Sequence, residues 1–260
     1  MQERTRGEIR RIVSQFIDSI PQIDKSQIQS IKKAYPFHAA IFSEEAILYS
    51  KQERSIVTRM GMTLFPNLAK AIANDAHKEV LINHSINGIL DGGSLAQIDT
   101  IVNELREGGR RRSPDHKKEM ESVLAKESGK TVEYRVIADL YIEDYEKGPL
   151  FLEIKSPLPN IDVAAESKKK ILIFEMMRRK EGGRGFLAFA YNPFITREKY
   201  AHPFTKTIMD MTEEVLIGEE MWDKIGGRGT YNELIKLVDI VGEAKRKELS
   251  GEEIGSKLAP

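Results

Sequence analysis

The sequence predicts an α/β fold: a mixed central sheet flanked by helices, with helical additions at both ends. Three observations carry this. Two runs of alternating apolar residues, 132–142 and 150–155, flank a polar stretch holding the turn formers Asp144 and Gly148. That is the pattern of an antiparallel hairpin with a longer loop. A helical segment and a second apolar run, 186–190, come next, and the order strand, helix, strand returns a parallel strand to the same sheet. Apolar residues at helical spacing fill most of what precedes residue 131 and follows residue 192.

In the first half, Ile9, Ile12, Val13, Phe16, Ile17 and Ile20 recur at helical spacing until Pro21 ends the pattern. Arg4, Arg6, Arg10 and Arg11 cluster at its start, as a solvated face or a DNA contact. A second helix over 27–34 stops before Pro36. Over 44–73, Ile56, Met60, Leu64, Leu68 and Ile72 follow i+4 spacing, and Pro66 must kink the helix or open a new one. Val80, Leu81 and Ile82 precede a break at Asp91-Gly92-Gly93, and 95–105 is a helix with Ile98, Ile101, Val102 and Leu105 on its apolar face. Gly108 and Gly109 then join the densest basic run, Arg110, Arg111 and Arg112. A mobile basic loop can reach phosphates or base edges; the alternative is a plain linker. A helix over 117–127 leads into the hairpin.

Beyond the hairpin, Pro157 and Pro159 stop the strand, and Asp162 is positioned to N-cap a helix running to about Arg179. It carries Lys168, Lys169 and Lys170, which point about 100° apart, so one or two meet phosphate and the rest are solvated. Helices are predicted over 206–217, 218–225 and 231–247, with a frayed end over 251–260.

With 260 residues, 40% of them hydrophobic, the chain can build a sizeable core. The absence of Cys excludes disulfides and thiolate metal sites, and fits a reducing cytoplasm. No apolar run is long enough for a membrane span, and Met1–Arg11 lacks the apolar stretch of a signal peptide. The formal net charge of zero weighs against a strongly basic nucleic-acid binder without excluding a local patch. A phosphate loop fails at Leu124, and no two His residues stand at zinc spacing.

The chemistry concentrates in the hairpin. If it folds symmetrically about Glu146, Asp139 faces Glu153 at roughly 5 Å between Cβ atoms. Two carboxylates so placed repel by about 3 kcal/mol at an effective dielectric of ~20. A divalent cation removes that cost, and oxygen ligands suit magnesium. Lys155 shares the Glu153 face of its strand, where its ammonium can hold a water or a phosphate oxygen. The alternative is a solvated ladder of alternating charges.

Asp139, a gap, then Glu153-Ile154-Lys155 resembles the PD-(D/E)xK nuclease superfamily, although Ala138 stands where a Pro is usual. Residues 53–61 resemble the helix before the catalytic sheet of many restriction nucleases, in which a helical Glu, here Glu53, leans toward the metal; a surface ion pair is the alternative. Three further stretches, 151–160, 190–194 and 215–223 with Gly226, Gly227, Thr230 and Tyr231, look like the TdeIII-type family of Type II restriction endonucleases.

The resemblance implies a PD-(D/E)xK restriction-endonuclease-like core in a single nuclease domain, 1–260. A mostly helical part (1–130) precedes the catalytic sheet (131–192), and a helical part (193–260) follows it. It implies a Mg2+-dependent enzyme that cuts both strands of double-stranded DNA at a short palindromic, GC-rich site. A homodimer and a partner DNA methyltransferase are implied with it. Asp139 and Glu153 would hold Mg2+ with the Ile154 carbonyl, Lys155 would orient the water, and Glu53 would support the metal shell. Arg110, Arg111, Arg112, Lys168 and Lys169 are the expected DNA contacts. The competing readings are a structure-specific repair or recombination nuclease of the same fold, and a DNA-binding protein without catalysis.

Overall fold

The computed structural model describes residues 1–21, 25–108 and 111–250. The mixed sheet has five strands among these residues, in the order β1 (Val80–Asp91), β2 (Thr131–Ile142), β3 (Leu150–Lys155), β4 (Arg184–Phe189) and β5 (Val215–Ile217). β1–β2 and β2–β3 pair antiparallel, and β4 and β5 continue in parallel from β3. This is the predicted hairpin followed by a parallel strand, widened by a strand at each edge. β1 extends well past the apolar triplet Val80, Leu81 and Ile82. β5 replaces the end of the helix expected over 206–217: α9 (Pro203–Ile208) stops early and the chain extends alongside β4.

The crossover helix α8 (Ile161–Met177) is capped by Asn160, whose side chain accepts from the Val163 amide, so Asp162 is not the cap but the acidic residue of the first turn. α6 (Gly92–Arg106) and α7 (His116–Leu124) begin at Asp91 and Asp115, which accept backbone amides in the same way. With α9, these helices cover one face of the sheet. α1 (Glu3–Asp18), α5 (Phe65–Ala73), α10 (Glu219–Gly226) and α11 (Thr230–Ser250) cover the other. α5 follows α4 (Glu44–Arg59) through a π turn (Met60–Leu64), and Pro66 lies in its first turn, where a missing amide costs nothing. Before α4 come two short helices, α2 (Ile28–Ala34) and α3 (Pro36–Ile41). No helix among the described residues is long and apolar enough to cross a membrane.

β3 and β4 are buried on both sides, so they read as nearly continuous apolar runs. The β1–β2 ribbon behaves differently. Val80, Ile82, Leu140 and Ile142 pack on the α1/α5 side, while Ile86, Leu90, Val136 and Ala138 pack on the α6/α8 side, although all eight are even-numbered. The ribbon changes faces where Asn83 adopts φ 49°, and the pairs Ile82–Leu140 and His84–Ala138 flank an unpaired Asn83 and Asp139. The hairpin loop is held at Gly148, where φ is 109° and a Cβ would stand 2.1 Å from the Glu181 carbonyl oxygen.

Candidate active site

The β2–β3 register, Leu140 to Leu152 and Tyr141 to Phe151, brings Asp139 to the level of Glu153 when continued by one residue. Regular pairing ends there. The Ile154 amide instead donates to Asp139 Oδ2 at 2.7 Å, so the carboxylate takes the role of a backbone acceptor. Lys155 Nζ donates to the same oxygen at 2.9 Å and lies 2.8 Å from Glu153 Oε1. Lys155 therefore joins the two carboxylates of the motif on the α8 side of the sheet. Burial pushes the Lys155 ammonium toward losing its proton, but Glu153 and Asp139 outweigh this and raise its pKa above the ordinary lysine value.

A fourth residue joins them. Lys170 Nζ, from α8, donates to Glu153 Oε1 at 2.8 Å. Two ammoniums thus balance two carboxylates. Glu153 is buried, and its Oε2 has no hydrogen-bond partner among the described residues. An orphaned carboxylate oxygen beside a second, partly exposed carboxylate is a donor set that fits a hard divalent cation. With such an ion added, the cluster would carry net positive charge, which suits a phosphodiester.

The other expected site residues lie elsewhere. Glu53 is exposed on α4, which packs against α3 and the π turn, and no hydrogen bond or ion pair joins it to Asp139 or Glu153. Ile154 is buried between Glu153 and Lys155, with its amide on Asp139. Arg110 lies outside the described residues. Arg111 and Arg112 pair with Glu107 and Glu104 of α6 at 2.8 and 2.6 Å, which spends part of their charge within the chain. Lys169 is partly exposed and pairs with Asp99 at 2.6 Å. Lys168 corrects the expectation of a phosphate contact: it is fully buried between Glu119 and Glu214 and has no surface to offer DNA.

Lys168 belongs to a buried ionic cluster that the spacing of its residues in the sequence does not reveal. His116 Nδ1 lies 2.9 Å from Glu214 Oε1, its Nε2 lies 2.8 Å from Glu175 Oε2, and Arg184 reaches Glu175 at 3.2 Å. His116, Glu119 and Glu214 are grouped closely enough to hold a metal. The Lys168 ammonium already bridges the two carboxylates, however, and both His116 nitrogens are engaged, so no free ligand face remains. Burial opposes the imidazolium, but the hydrogen bonds to Glu175 and Glu214 win and raise its pKa to about 9.

Trp222 links the C-terminal helices to this frame: its indole donates to the Ala190 carbonyl at 2.8 Å, at the end of β4. The stretches around 190 and 222 that carried the family resemblance are therefore in direct contact.

Comparison with known proteins identifies the family. A family model described as "Type II restriction endonuclease, HinfI" matches residues 1–242. The Type II restriction enzyme HgiBI of Herpetosiphon aurantiacus is 31% identical over 240 residues, covering 91% of this chain and 86% of that protein. The Type II restriction enzymes HgiEI and HgiCII of the same organism are each 32% identical over 219 residues, covering 83% of this chain and 80% of theirs. No solved structure matches. The match spans the helical N-terminal part, the Asp139–Glu153–Lys155 sheet and the Trp222 block alike, and the chain belongs to the HinfI family of Type II restriction endonucleases.

Proposed function

We propose that the protein hydrolyses phosphodiester bonds in both strands of double-stranded DNA at a short palindromic site, with Mg2+ as cofactor. The domain is single and of PD-(D/E)xK type. The observation that carries this is Lys155 joining Asp139 and Glu153 while Glu153 Oε2 is left without a partner among the described residues. Asp139, Glu153 and the Ile154 carbonyl would hold the ion, which when bound polarises the scissile phosphate and lowers the pKa of a coordinated water. Lys155 orients the attacking water and offsets charge developing on the phosphate oxygens. The interlocked Asp139 carboxylate and Ile154 amide keep the acidic group aimed while the DNA strand enters. Lys169, Arg111 and Arg112 can contribute phosphate contacts once DNA competes with their present partners.

A homodimer matches a palindrome through its two-fold symmetry, and a methyltransferase protecting the same site would act beside it in the cytoplasm. The GC-rich character of the site rests only on the sequence likeness to TdeIII-type enzymes, a label the family match does not carry. Glu53 would enter only as a distant member of the water shell.

The test is digestion of plasmid DNA with and without Mg2+, followed by sequencing of the ends. Fixed ends at one short palindrome support the reading. Cutting confined to branched DNA points to a repair nuclease, and tight gel shifts without cutting point to a binding protein. Lys155→Ala should abolish cleavage and leave DNA affinity largely intact; full activity in that variant removes Lys155 from the mechanism.

A further inference from the structure

Between residues 26 and 59 the chain folds into helices that bury very little. Ile28, Ile31 and Ile47 are the only buried residues of this stretch, whereas α5 buries six of its nine. The stretch is attached to the body where α4 meets the π turn, by a hydrogen bond from Gln52 to the Pro21 carbonyl, and by Arg59 on Ser19. Among its charged residues the surface exposes large apolar and aromatic side chains: Tyr35, Phe37, Ile41, Phe42, Tyr49 and, on the π turn, Met62 are each 52–80% exposed. A groove of about 310 Å³ opens on the same surface, walled mostly by Ile31, Tyr35, His38, Phe42 and Ile47, with Lys51 and Arg54 also lining it. Tyr35, His38 and Phe42 form a chain of ring contacts along it.

We propose that a second copy of this chain docks on the α2–α4 face about a two-fold axis, Phe37 and Ile41 of each copy entering the groove of the other. In α3, Phe37 and Ile41 share one face and His38 points to the neighbouring one, about 100° around the helix. Projecting apolar groups and an apolar groove thus adjoin within one patch, which makes the patch self-complementary, as an isologous contact requires. At about 200 Å² per fully exposed large side chain, the six residues present on the order of 800 Å², the share one partner gives a standard interface. Aromatic residues at the centre are the composition of an interface core. DNA is the poorer occupant: its interfaces are polar and strongly positive, and Lys51 and Arg54 are outweighed here by exposed Phe37, Ile41 and Phe42. The choice of a second copy rests in part on the function proposed above: each chain brings one Asp139–Glu153–Lys155 centre, and a symmetric double-strand cut takes two.

The full chain should sediment as a dimer at micromolar concentration. Phe37→Asp with Ile41→Asp should raise the dissociation constant roughly a hundredfold or more, since central apolar anchors dominate such contacts. Unchanged circular dichroism and melting temperature would show that the variant is folded. The chain has no Cys, so mixing Phe37→Cys with Ser50→Cys under oxidation should yield a cross-linked heterodimer. A monomeric wild type, a dimer indifferent to the two aspartates, or DNA shielding Phe37→Cys from a thiol reagent in a monomer would each overturn the proposal. Plasmid cleavage is read separately. A dimer through this face that never cuts DNA upholds the contact and defeats the nuclease reading; a cutting monomer does the reverse.

Discussion

The Lys170 ammonium on α8 donates to Glu153 Oε1 at 2.8 Å, so the carboxylate central to the site is held from the crossover helix as well as from its own strand. A divalent cation on the free Glu153 Oε2 would share the carboxylate with this ammonium and be repelled by it. Lys170→Ala should therefore lower the Mg2+ concentration needed for half-maximal cleavage. Without Mg2+ the same variant loses a charge-assisted hydrogen bond worth about 1.5–3 kcal/mol, a loss that added Mg2+ should restore in a thermal melt. A raised Mg2+ requirement would mean that Lys170 serves the phosphate rather than guarding the carboxylate.

Lys168 and Lys169 are neighbours in sequence with opposite expected phenotypes. Lys168→Ala leaves Glu119 and Glu214 buried without their shared cation, and breaking such a pair costs about 3–5 kcal/mol. Its folded fraction should bind DNA as wild type does. Lys169→Ala removes only a partly exposed pair with Asp99, at about 1 kcal/mol or less. If Lys169 meets a phosphate, the variant's log–log salt slope for DNA binding should fall by about 1. Denaturant titration and salt-dependent gel shifts on both variants separate the two roles.

What the sequence could reveal follows from how local each signal is. Asp139, Glu153 and Lys155 were legible because alternation within one hairpin fixes which side chains share a face, although regular pairing stops at Leu140–Leu152, one step short of Asp139 and Glu153. β1 was not, because His84, Ser85, Asn87 and Gly88 dilute its apolar alternation and its ribbon changes faces at Asn83. β5 is three residues long and exists by pairing with β4. Among Lys168, Lys169 and Lys170, nothing in the helix pattern says which meets β3, which meets Asp99 and which is buried. The His116–Glu214 contact joins residues 98 apart in the chain, a pairing that only the sheet order creates.

Both His116 ring nitrogens face carboxylates, which fixes the ring as an imidazolium and raises its pKa from 6.5 to about 9. Around it, the Lys168 and Arg184 cations share Glu119, Glu175 and Glu214, and Asp210 accepts the His116 amide. A pKa higher in the folded state stabilises the fold fully below the unfolded value and ceases to do so as pH climbs through the folded one. The contribution should therefore be intact below pH 6.5 and lost by about pH 9, with a total on the order of 3 kcal/mol. Urea unfolding of wild type and His116→Gln across this range should show their difference shrinking as pH rises. A difference that is constant with pH would mean the ring is neutral in the fold.

Asn83 adopts φ 49° opposite the unpaired Asp139, at the point where the β1–β2 ribbon changes faces. A left-handed conformation is tolerated by Asn and free for Gly, but costs a β-branched residue about 1–2 kcal/mol. Asn83→Gly should leave stability nearly unchanged, whereas Asn83→Val should lose about that amount or draw the strand back into regular pairing. Regular pairing would turn Asp139 relative to Glu153 and Lys155. Asn83→Val should thus also slow single-turnover cleavage under conditions where the variant is fully folded, and Asn83→Gly should not. Equal cleavage by the two folded variants would show that the ribbon's change of face has no part in aiming the carboxylate.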